Sequence, residues 1–288
     1  MDYGEWTLSM LGVKVQKLAV DAGLGCPNRD GTLGRGGCTY CSNRAFSPRY
    51  CDPSLSITEQ LERGKHFFRR KYPQAKFLAY FQSHTNTHAP VAQLMALYEE
   101  ALSVTDVVGL VIATRPDCMP DTLLDSLAEL SRRTFLIIEY GIESASDETL
   151  LRIHRGHTFR QAEETIRRTA DKGIFVGGHI ILGFPWESRE ELLHQAEVIG
   201  RLPLTTLKIH QLQVIRGTQM AREYEAHPWP MPTAEEYADL LLDYISRLPH
   251  SIVLERFVSQ SPPDMVIAPQ WGLKSSEFAK LLQRKKNF

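Results

Sequence analysis

The stretch CPNRDGTLGRGGCTYC, residues 26–41, contains three of the five cysteines of this 288-residue chain. Eleven residues separate Cys26 from Cys38, and only two separate Cys38 from Cys41. Thiolates are soft ligands for zinc, copper(I) and iron–sulfur clusters. The four glycines between the first and last cysteine allow the backbone to wrap closely around such a group. This stretch is therefore predicted to be a metal-binding loop.

Two kinds of metal site are compatible with the spacing. A structural zinc site needs four ligands, and Cys51 is available as the fourth. A 4Fe–4S cluster normally takes four thiolates, so three thiolates would leave one iron open to a substrate or cofactor. The loop is not a P-loop, because the pattern G-x4-G-K-S/T is absent. From the spacing alone, both metal sites stay open.

The composition excludes several classes of protein. The net charge is −1, so no overall basic field indicates nucleic-acid binding. No apolar run reaches the roughly 18 residues that a membrane span needs, and the first residues lack the order of a signal peptide. We therefore expect a cytoplasmic protein with no membrane partner. In that reducing compartment, clustered cysteines indicate metal or catalytic chemistry rather than disulfides.

Strand and helix patterns alternate along most of the chain. This alternation predicts an α/β fold with a parallel sheet or barrel. Six units are too few for a closed eight-fold barrel, so we expect a partial (β/α)6 TIM-like barrel over residues 1–250 and a short C-terminal extension over 251–288. The strands are predicted at 17–22, 76–82, 107–114, 134–142, 175–183 and 206–215, and the helices at 56–71, 90–103, 121–132, 158–172, 187–201 and 233–247.

Polar and glycine residues lie at the ends of the predicted strands or directly after them. In parallel α/β folds, ligands bind at the carboxyl ends of the strands. The cysteine loop also follows a strand, so we expect it to share one rim of the barrel with these residues. They include Gln82, Ser83, Arg115, Glu143 and Gly183.

Several motifs, taken in order with the cysteine loop, resemble the radical S-adenosylmethionine (SAM) superfamily over nearly the whole chain. Most of that superfamily uses CxxxCxxC, whereas the long spacing here, with CPNRDG and GRGGCTYC, is similar to the YhcC/YtqA group of bacterial members. TRPD also occurs in the Elongator catalytic subunit, and LLRIHRGHT resembles a segment of Elongator and of the oxygen-independent coproporphyrinogen oxidases. The motifs are GIES (141–144), HRGHT (154–158), HIILGFPWES (179–188) and LQVIRGT (212–218).

The resemblance implies a barrel of the radical SAM type and a radical mechanism. Cys26, Cys38 and Cys41 would bind three irons of a 4Fe–4S cluster, and the amino and carboxylate groups of SAM would chelate the fourth. One electron, from a donor such as flavodoxin or ferredoxin, would cleave SAM to a 5′-deoxyadenosyl radical that abstracts a substrate hydrogen. The cofactors carry out the difficult chemistry, and the protein orients them.

The resemblance also implies a set of SAM-binding residues. Arg155 matches an arginine that contacts the SAM carboxylate, although it could also be an ordinary surface arginine. His179 matches a SAM-contacting aspartate, although it could also be packed inside the barrel. The usual GGE motif after the second strand is missing, and Gln82 and Ser83 stand in its place. Two further positions match: Glu143, where the coproporphyrinogen oxidases have glutamine, and Gly183, beside the adenine.

Three residues are expected to be catalytic through contact with the substrate: Lys208, His210 and Arg115. Lys208 and His210 alternate on one strand and so face the same side, and a polar row there indicates a cavity. Asp117, beside Arg115, is also a candidate cap for the next helix.

The cysteines outside the loop and two basic segments remain to be placed. Cys118 is expected to be a packed thiol, whereas Cys51 has no firm assignment. The basic segments 69–76 and 283–288 are either phosphate contacts or solvated faces.

The YhcC/YtqA group is implicated in modifying the wobble uridine of bacterial tRNA, from a carboxymethylaminomethyl to an aminomethyl group, and Elongator also works on wobble uridine. The resemblance therefore implies a tRNA partner and this reaction. Two alternatives stay open: a radical SAM enzyme for a tetrapyrrole or other small metabolite, and a zinc-stabilised RNA-binding or scaffold protein.

Overall fold

A computed structural model describes residues 2–45, 47–259 and 261–286 of the chain. The strands within these residues are β1 Val15–Val20, β2 Lys76–Phe81, β3 Val107–Thr114, β4 Phe135–Glu143, β5 Phe175–Leu182, β6 Thr206–Gln211, β7 Val214–Ile215, β8 Val253–Arg256 and β9 Val266–Ala268. Seven of them form one sheet in the order β1-β2-β3-β4-β5-β6-β8, with every neighbouring pair parallel. The other two, β7 and β9, form a small antiparallel sheet.

The helices within the described residues surround this sheet. Four of the longer ones begin with a capping box, in which a Ser or Thr and a Glu or Gln three residues later satisfy each other's backbone amides. The helices are α1 Tyr3–Leu11, α2 Pro27–Asp30, α3 Ile57–Arg69, α4 Val91–Ser103, α5 Asp121–Ser131, α6 Asp147–Arg152, α7 Phe159–Asp171, α8 Arg189–Gly200, α9 Gln219–Ala226, α10 Ala234–Ser246 and α11 Ser275–Lys286.

The predicted α/β partial barrel is confirmed. All six predicted strands and all six predicted helices are present, and their ends agree within two residues except at the sixth strand. That strand was expected over 206–215. It ends at Gln211, and the chain resumes as the separate strand β7, so the last part of the prediction was wrong.

The segment 251–288, expected to be an extension, supplies the seventh strand of the main sheet. β8 pairs with β6, with Leu254 opposite Leu207. The boundary at residue 250 stays a prediction, although the residues after it form part of the barrel wall.

The main sheet is strongly curled, as an ion pair between its two edge strands shows. Lys17 lies on β1, at one edge of the sheet, and Glu255 lies on β8, at the other edge. Their side chains are nevertheless 2.8 Å apart across the barrel interior. The two edge strands are not hydrogen bonded to each other in the described structure, so the barrel is open along one side.

Helix α1 packs against one end of this open barrel. Trp6 contacts the rings of Phe135 and Phe175, near the starts of β4 and β5, at centroid distances of 5.7 and 5.4 Å. It belongs to an interior apolar cluster with Leu78, Val111, Ile137 and Val253. Since these residues lie on strands from both halves of the sheet, α1 covers the end of the barrel where the strands begin.

Alternate residues of each strand face the interior or the surrounding helices. On β4, Ile138 and Tyr140 pack in the outer core, whereas Ile137 packs inside. Glu139 also lies inside, and Gly177 on β5 leaves room for it. A side chain at Gly177 would place its Cβ 2.8 Å from the Cγ of Glu139.

The basic segment 69–76 lies at the end of the barrel where the strands begin. Arg69 and Lys76 both pair with Asp106, at 2.8 and 2.6 Å. Lys76 is the first residue of β2, so this segment is at the opposite end from the rim. The placement favours a solvated face over a phosphate site. Of the segment 283–288, the last two residues lie outside the described residues.

Within the described part of the chain, no helix is both long and apolar enough to cross a bilayer.

Candidate functional site

The cysteine loop begins with a single helical turn. α2 follows Cys26 directly, and the carbonyl of Cys26 accepts hydrogen bonds from the amides of Arg29 and Asp30, at 2.7 and 3.0 Å. Gly37, with φ of 75°, adopts a backbone conformation that disfavours other residues. A Cβ at Gly37 would lie 3.0 Å from the Nε of Arg29. Glycine there allows the loop to fold back toward Cys38.

Asn28 joins this loop to the HRGHT motif. Its Nδ2 donates to the carbonyls of His154 and Arg155, at 2.7 and 3.1 Å, and lies 3.5 Å from the Sγ of Cys38. The amide of Thr39 donates to the carbonyl of Ile153 at 3.0 Å. The predicted metal-binding loop and the predicted SAM-binding segment are therefore joined by hydrogen bonds into one unit at the rim.

The three loop thiols are neighbours. Burial and then the charge of Cys38 raise the pKa of the Cys41 thiol to about 11, with a smaller contribution from Cys26. Among the described residues, no three His, Cys, Asp or Glu side chains are grouped as tightly as a bound metal ion requires. The donor set nonetheless fits a cluster held by three thiolates, because the three thiols share one glycine-rich loop and form no disulfide.

The two remaining cysteines have other contacts. The thiol of Cys51 donates to the carbonyl of Ala19 at 3.0 Å, at the open edge of β1. Burial raises its pKa to about 12. Burial and the charge of Asp117 raise the pKa of the Cys118 thiol to about 12 as well.

Arg155 is buried between the loop and the end of β4. Its Nη2 donates to the carbonyl of Gly141 at 2.7 Å and lies 3.5 Å from Oε1 of Glu143, and its Nη1 lies 3.7 Å from the Sγ of Cys38. The Nε of Arg155 is buried without a hydrogen-bond partner in the described structure. Arg155 is therefore not an ordinary surface arginine, and one of its donors is unused.

Backbone strain accompanies this arrangement. Glu143 has φ of 70° and His154 has φ of 54°, values that are uncommon for residues other than glycine. The register between β4 and β5 also shifts between Gly141 and Glu143. Strain of this kind concentrates at functional sites, and here it places the Glu143 carboxylate beside Arg155.

Arg115 reaches the same unit from the end of β3. It is 2% exposed, and Asp117 accepts two hydrogen bonds from it, at 3.0 and 2.9 Å. Its Nη1 is buried and has no partner among the described residues. A Cβ at Gly156 would lie 2.7 Å from Asn28 and 3.3 Å from Nη2 of Arg115. Asp117 does not cap the next helix, since Pro120 is the N-cap of α5.

Glu139 organises a buried ionic network inside the barrel. Its carboxylate contacts Lys17 at 2.7 Å, Lys208 at 2.6 Å and the Nε2 of His179 at 2.8 Å. Burial favours the neutral carboxyl, but the ammonium groups of Lys17 and Lys208 outweigh it and hold the pKa of Glu139 well below its usual value. The sequence motifs did not indicate Glu139. The available signal was a single carboxylate inside the apolar run FLIIEYGI.

Lys208, His179 and His210 lie in the interior, as expected, but each already has a partner. The ammonium of Lys208 also contacts the hydroxyl of Tyr80 at 3.0 Å, and burial lowers its pKa to about 8. The Nδ1 of His210 lies 3.0 Å from Oγ of Ser259, and burial holds its pKa well below the usual value. Their roles toward SAM and substrate stay predictions.

The remaining predicted residues lie at the rim. Gln82 and Ser83 directly follow β2, and the hydroxyl of Ser83 lies 3.1 Å from that of Ser47. Gly183 follows β5 with φ of 102°, a conformation that strains any side-chain-bearing residue. A Cβ there would meet only Leu212, at 3.8 Å, so the backbone angle rather than space requires glycine.

Comparison with protein families gives two matches that together cover most of the chain. The Radical SAM superfamily matches residues 23–199, and the Radical_SAM C-terminal domain matches residues 204–286. The chain is 37% identical over 266 residues to the protein YtqA of Bacillus subtilis (strain 168), covering 92% of this chain and 83% of that one. It is 36% identical over 261 residues to the protein YhcC of Escherichia coli (strain K12), covering 90% and 83%.

More distant relatives agree in fold. Elongator complex protein 3 of Saccharomyces cerevisiae is 31% identical over 150 residues, 51% of this chain and 26% of that protein. The structure of the archaeal Methanocaldococcus infernus Elp3 with an N-terminal deletion superposes with a TM-score of 0.70 at 16% identity. It covers 94% of this chain, whereas this chain spans only 63% of the Elp3 chain. Coproporphyrinogen III oxidase (HemN) from Escherichia coli superposes with a TM-score of 0.53 at 14% identity, covering 81% and 52%.

These matches decide between the two metal sites that the spacing left open. Enzymes of this family use a 4Fe–4S cluster together with SAM, so the metal group of this protein is the cluster and not zinc. The chain belongs to the radical SAM superfamily.

Proposed function

We propose that this enzyme modifies the wobble uridine of tRNA, converting a carboxymethylaminomethyl to an aminomethyl group, with its cluster bound by Cys26, Cys38 and Cys41. The observation that carries the proposal is the hydrogen-bonded unit in which Asn28 joins the cysteine loop to the segment around Arg155. The tRNA substrate is supported by the motifs of the YhcC/YtqA group and by the match to Elongator complex protein 3 over half of the chain.

SAM binding is proposed for the residues around Arg155. When bound, the cluster and SAM supply reductive cleavage of a sulfonium and a hydrogen-abstracting radical. The unused Nε of Arg155 is a charged donor suited to the SAM carboxylate. Glu143, whose Oε1 lies 3.5 Å from Nη2 of Arg155, is an acceptor for the amino group or the ribose of SAM. Gly183 leaves the backbone open toward the adenine.

Arg115 is proposed as the main residue that recognises the substrate, ahead of Lys208 in priority. Both are buried, but Lys208 is neutralised by Glu139 at 2.6 Å. Arg115 keeps one buried guanidinium nitrogen without a partner in the described structure, next to the loop and to Gly156. A planar guanidinium pairs well with a carboxylate such as that of the carboxymethyl group. Lys208 and His210, deeper in the barrel, complete the proposed catalytic set.

Mass spectrometry of tRNA nucleosides tests this proposal. Cells that lack the gene should accumulate carboxymethylaminomethyl-uridine. The purified protein, reconstituted anaerobically and given SAM and a reductant, should convert that nucleoside in isolated tRNA. Arg115→Lys should convert it more slowly, because an ammonium lacks the planar pair of donors.

Unchanged wobble nucleosides in the cells, together with no conversion in vitro, would show that the tRNA substrate is wrong. The family assignment would survive that result. A tetrapyrrole or another small metabolite would then be the substrate to test.

A further inference from the structure

A cavity of about 820 Å³ opens between α6 and α9. We call it the rim pocket. Its lining includes Arg152, Trp186, Gln219, Arg222, Glu223 and Trp229.

The rim pocket is physically continuous with the site. Trp186 follows Gly183 by three residues in the loop after β5. Met220, on α9, donates its amide to the carbonyl of Thr39, the residue after Cys38, at 2.9 Å. One apolar cluster beneath the pocket also contains Ile153 and Tyr40. A ligand in the pocket would therefore lie beside the cysteine loop and the segment that carries Arg155.

Three side chains form a stack at one wall of the pocket. Phe184 and Trp186 are stacked, with ring centroids 5.2 Å apart and an angle of 20° between planes. The guanidinium carbon of Arg152 lies 3.9 Å from the centroid of Trp186. The indole is fixed in place, because its Nε1 donates to Thr149 at 3.0 Å. Arg152 is exposed, so its planar guanidinium is available to stack on a further flat group.

The charges of the pocket favour an anion next to that flat group. Arg152 and Arg222 are both exposed, and neither has an ion-pair partner within residues 2–45, 47–259 and 261–286. The carboxylate of Glu223 accepts a hydrogen bond from Gln219 at 2.8 Å, along the same helix. A flat ring that carries a phosphate matches this combination, and unpaired RNA bases are commonly held by stacking on aromatic rings or on arginine guanidinium planes.

We propose that the rim pocket binds an unpaired nucleotide of the RNA substrate, next to the reacting uridine. The base of this nucleotide stacks on Arg152, and its phosphate pairs with Arg222. The inference rests on the proposed RNA substrate and adds to it a second point of attachment outside the barrel.

Binding of a labelled eight-nucleotide uridine RNA to the reconstituted enzyme, measured by fluorescence anisotropy at several salt concentrations, tests the pocket. Arg152→Lys keeps the charge but removes the flat guanidinium, so it should weaken binding by about tenfold, the scale of one stacked base. It should leave the salt dependence unchanged. Arg222→Gln should lower the slope of log affinity against log salt by about 0.7, the value for one single-strand phosphate contact.

Arg201→Gln is the matched control. Arg201 is also exposed and without an ion-pair partner in the described structure, but it caps the end of α8, away from the rim. This variant should bind the RNA like the wild type. An abasic oligomer of the same length should bind wild type and Arg152→Lys equally. Melting temperatures of all variants should match, because every changed side chain is exposed.

The outcomes separate this inference from the proposed function. Equal binding of the uridine RNA by wild type and Arg152→Lys would overturn the pocket, even if tRNA is modified normally. Competition by free uridine monophosphate at the same concentration as the RNA would overturn the RNA assignment and indicate a site for free nucleotides. A third outcome is that Arg152→Lys weakens binding of the uridine RNA while cells with and without the gene have the same tRNA nucleosides. This outcome would support the pocket and refute the proposed reaction.

Discussion

At the scale of single residues, the contacts of buried polar side chains describe the geometry of the site in more detail than the cysteines do. Asn28 contacts two carbonyls and one thiol, and Arg155 contacts a carbonyl, a carboxylate and the same thiol of Cys38. Buried polar groups that are fully paired make a structure specific. Nε of Arg155 and Nη1 of Arg115 are among the buried donors left without a partner in the described structure, and they are available to a ligand.

The cysteines outside the loop should not be needed for the cluster. Because the Cys51 thiol donates to Ala19 and burial raises its pKa to about 12, Cys51→Ala should still bind about four irons per chain after reconstitution. Cys118→Ala should do the same. Cys38→Ala should lose most of its iron. Iron and sulfide analysis measures this, and loss of iron in either of the first two variants would identify a fourth protein ligand and close the proposed SAM site.

At the scale of elements, the ionic network joins four strands, most of which are not neighbours in the sheet. Lys17 on β1, Glu139 on β4, Lys208 on β6 and Glu255 on β8 meet in the interior. Two lysines and two glutamates balance in charge, which makes their joint burial possible. Breaking such a group by removing one member leaves a buried charge without a partner.

Glu139→Gln should therefore lower the free energy of unfolding by about 3–5 kcal/mol. The folded-state pKa of Glu139 lies well below 4.5, so its contribution is fully present above that pH. The contribution is lost as the pH falls through the folded-state value. The free energies of unfolding of the wild type and of Glu139→Gln, measured with denaturant, should therefore become similar at acid pH.

The exposed ion pair between Arg160 and Glu164, at 2.8 Å, provides the control. Glu164→Gln should change stability by less than about 1 kcal/mol, because surface pairs are screened by water. Equal losses in the two variants would contradict the importance of the buried network.

The sequence predicted elements well where they are long and periodic, and poorly where they are short. Strands such as β3 are apolar runs of eight residues between two helical patterns, so residues 107–114 were predicted correctly. β8 was missed because its four residues include Glu255 and Arg256, which interrupt the apolar pattern. The network was missed because its pairs are long-range: Lys17 and Glu139 are 122 positions apart, and no local pattern records such a contact.

The same limit applies to the site. The spacing of the thiols and the HRGHT motif indicated the loop and Arg155, because both are local patterns. The contacts of Asn28 and the unused donor of Arg115 depend on how distant loops meet, which only the folded structure shows.

At the scale of the whole molecule, one end of the barrel carries the candidate site and the other end is closed by packing. The rim where strands end carries the cysteine loop, Arg115, Arg155 and the rim pocket. The other end is covered by α1, and the network of Lys17 and Glu139 lies in the interior. A parallel barrel allows this division because every strand points the same way.

Trp6→Ala tests that division. Trp6 is 9% exposed and packs against Phe135 and Phe175 at the end of the barrel opposite the rim. Loss of a buried aromatic side chain leaves a cavity, so the free energy of unfolding should fall by about 3 kcal/mol or more.

Leu8, on the same helix but 39% exposed, provides the control, and Leu8→Ala should cost less than about 1 kcal/mol. At a temperature where both variants remain folded, iron content and SAM affinity should equal those of the wild type, because Trp6 packs at the starts of β4 and β5, away from the cysteine loop. Weaker SAM binding in folded Trp6→Ala, measured beside its urea unfolding curve, would mean that packing at one end controls the geometry of the other and that the two ends are not separate.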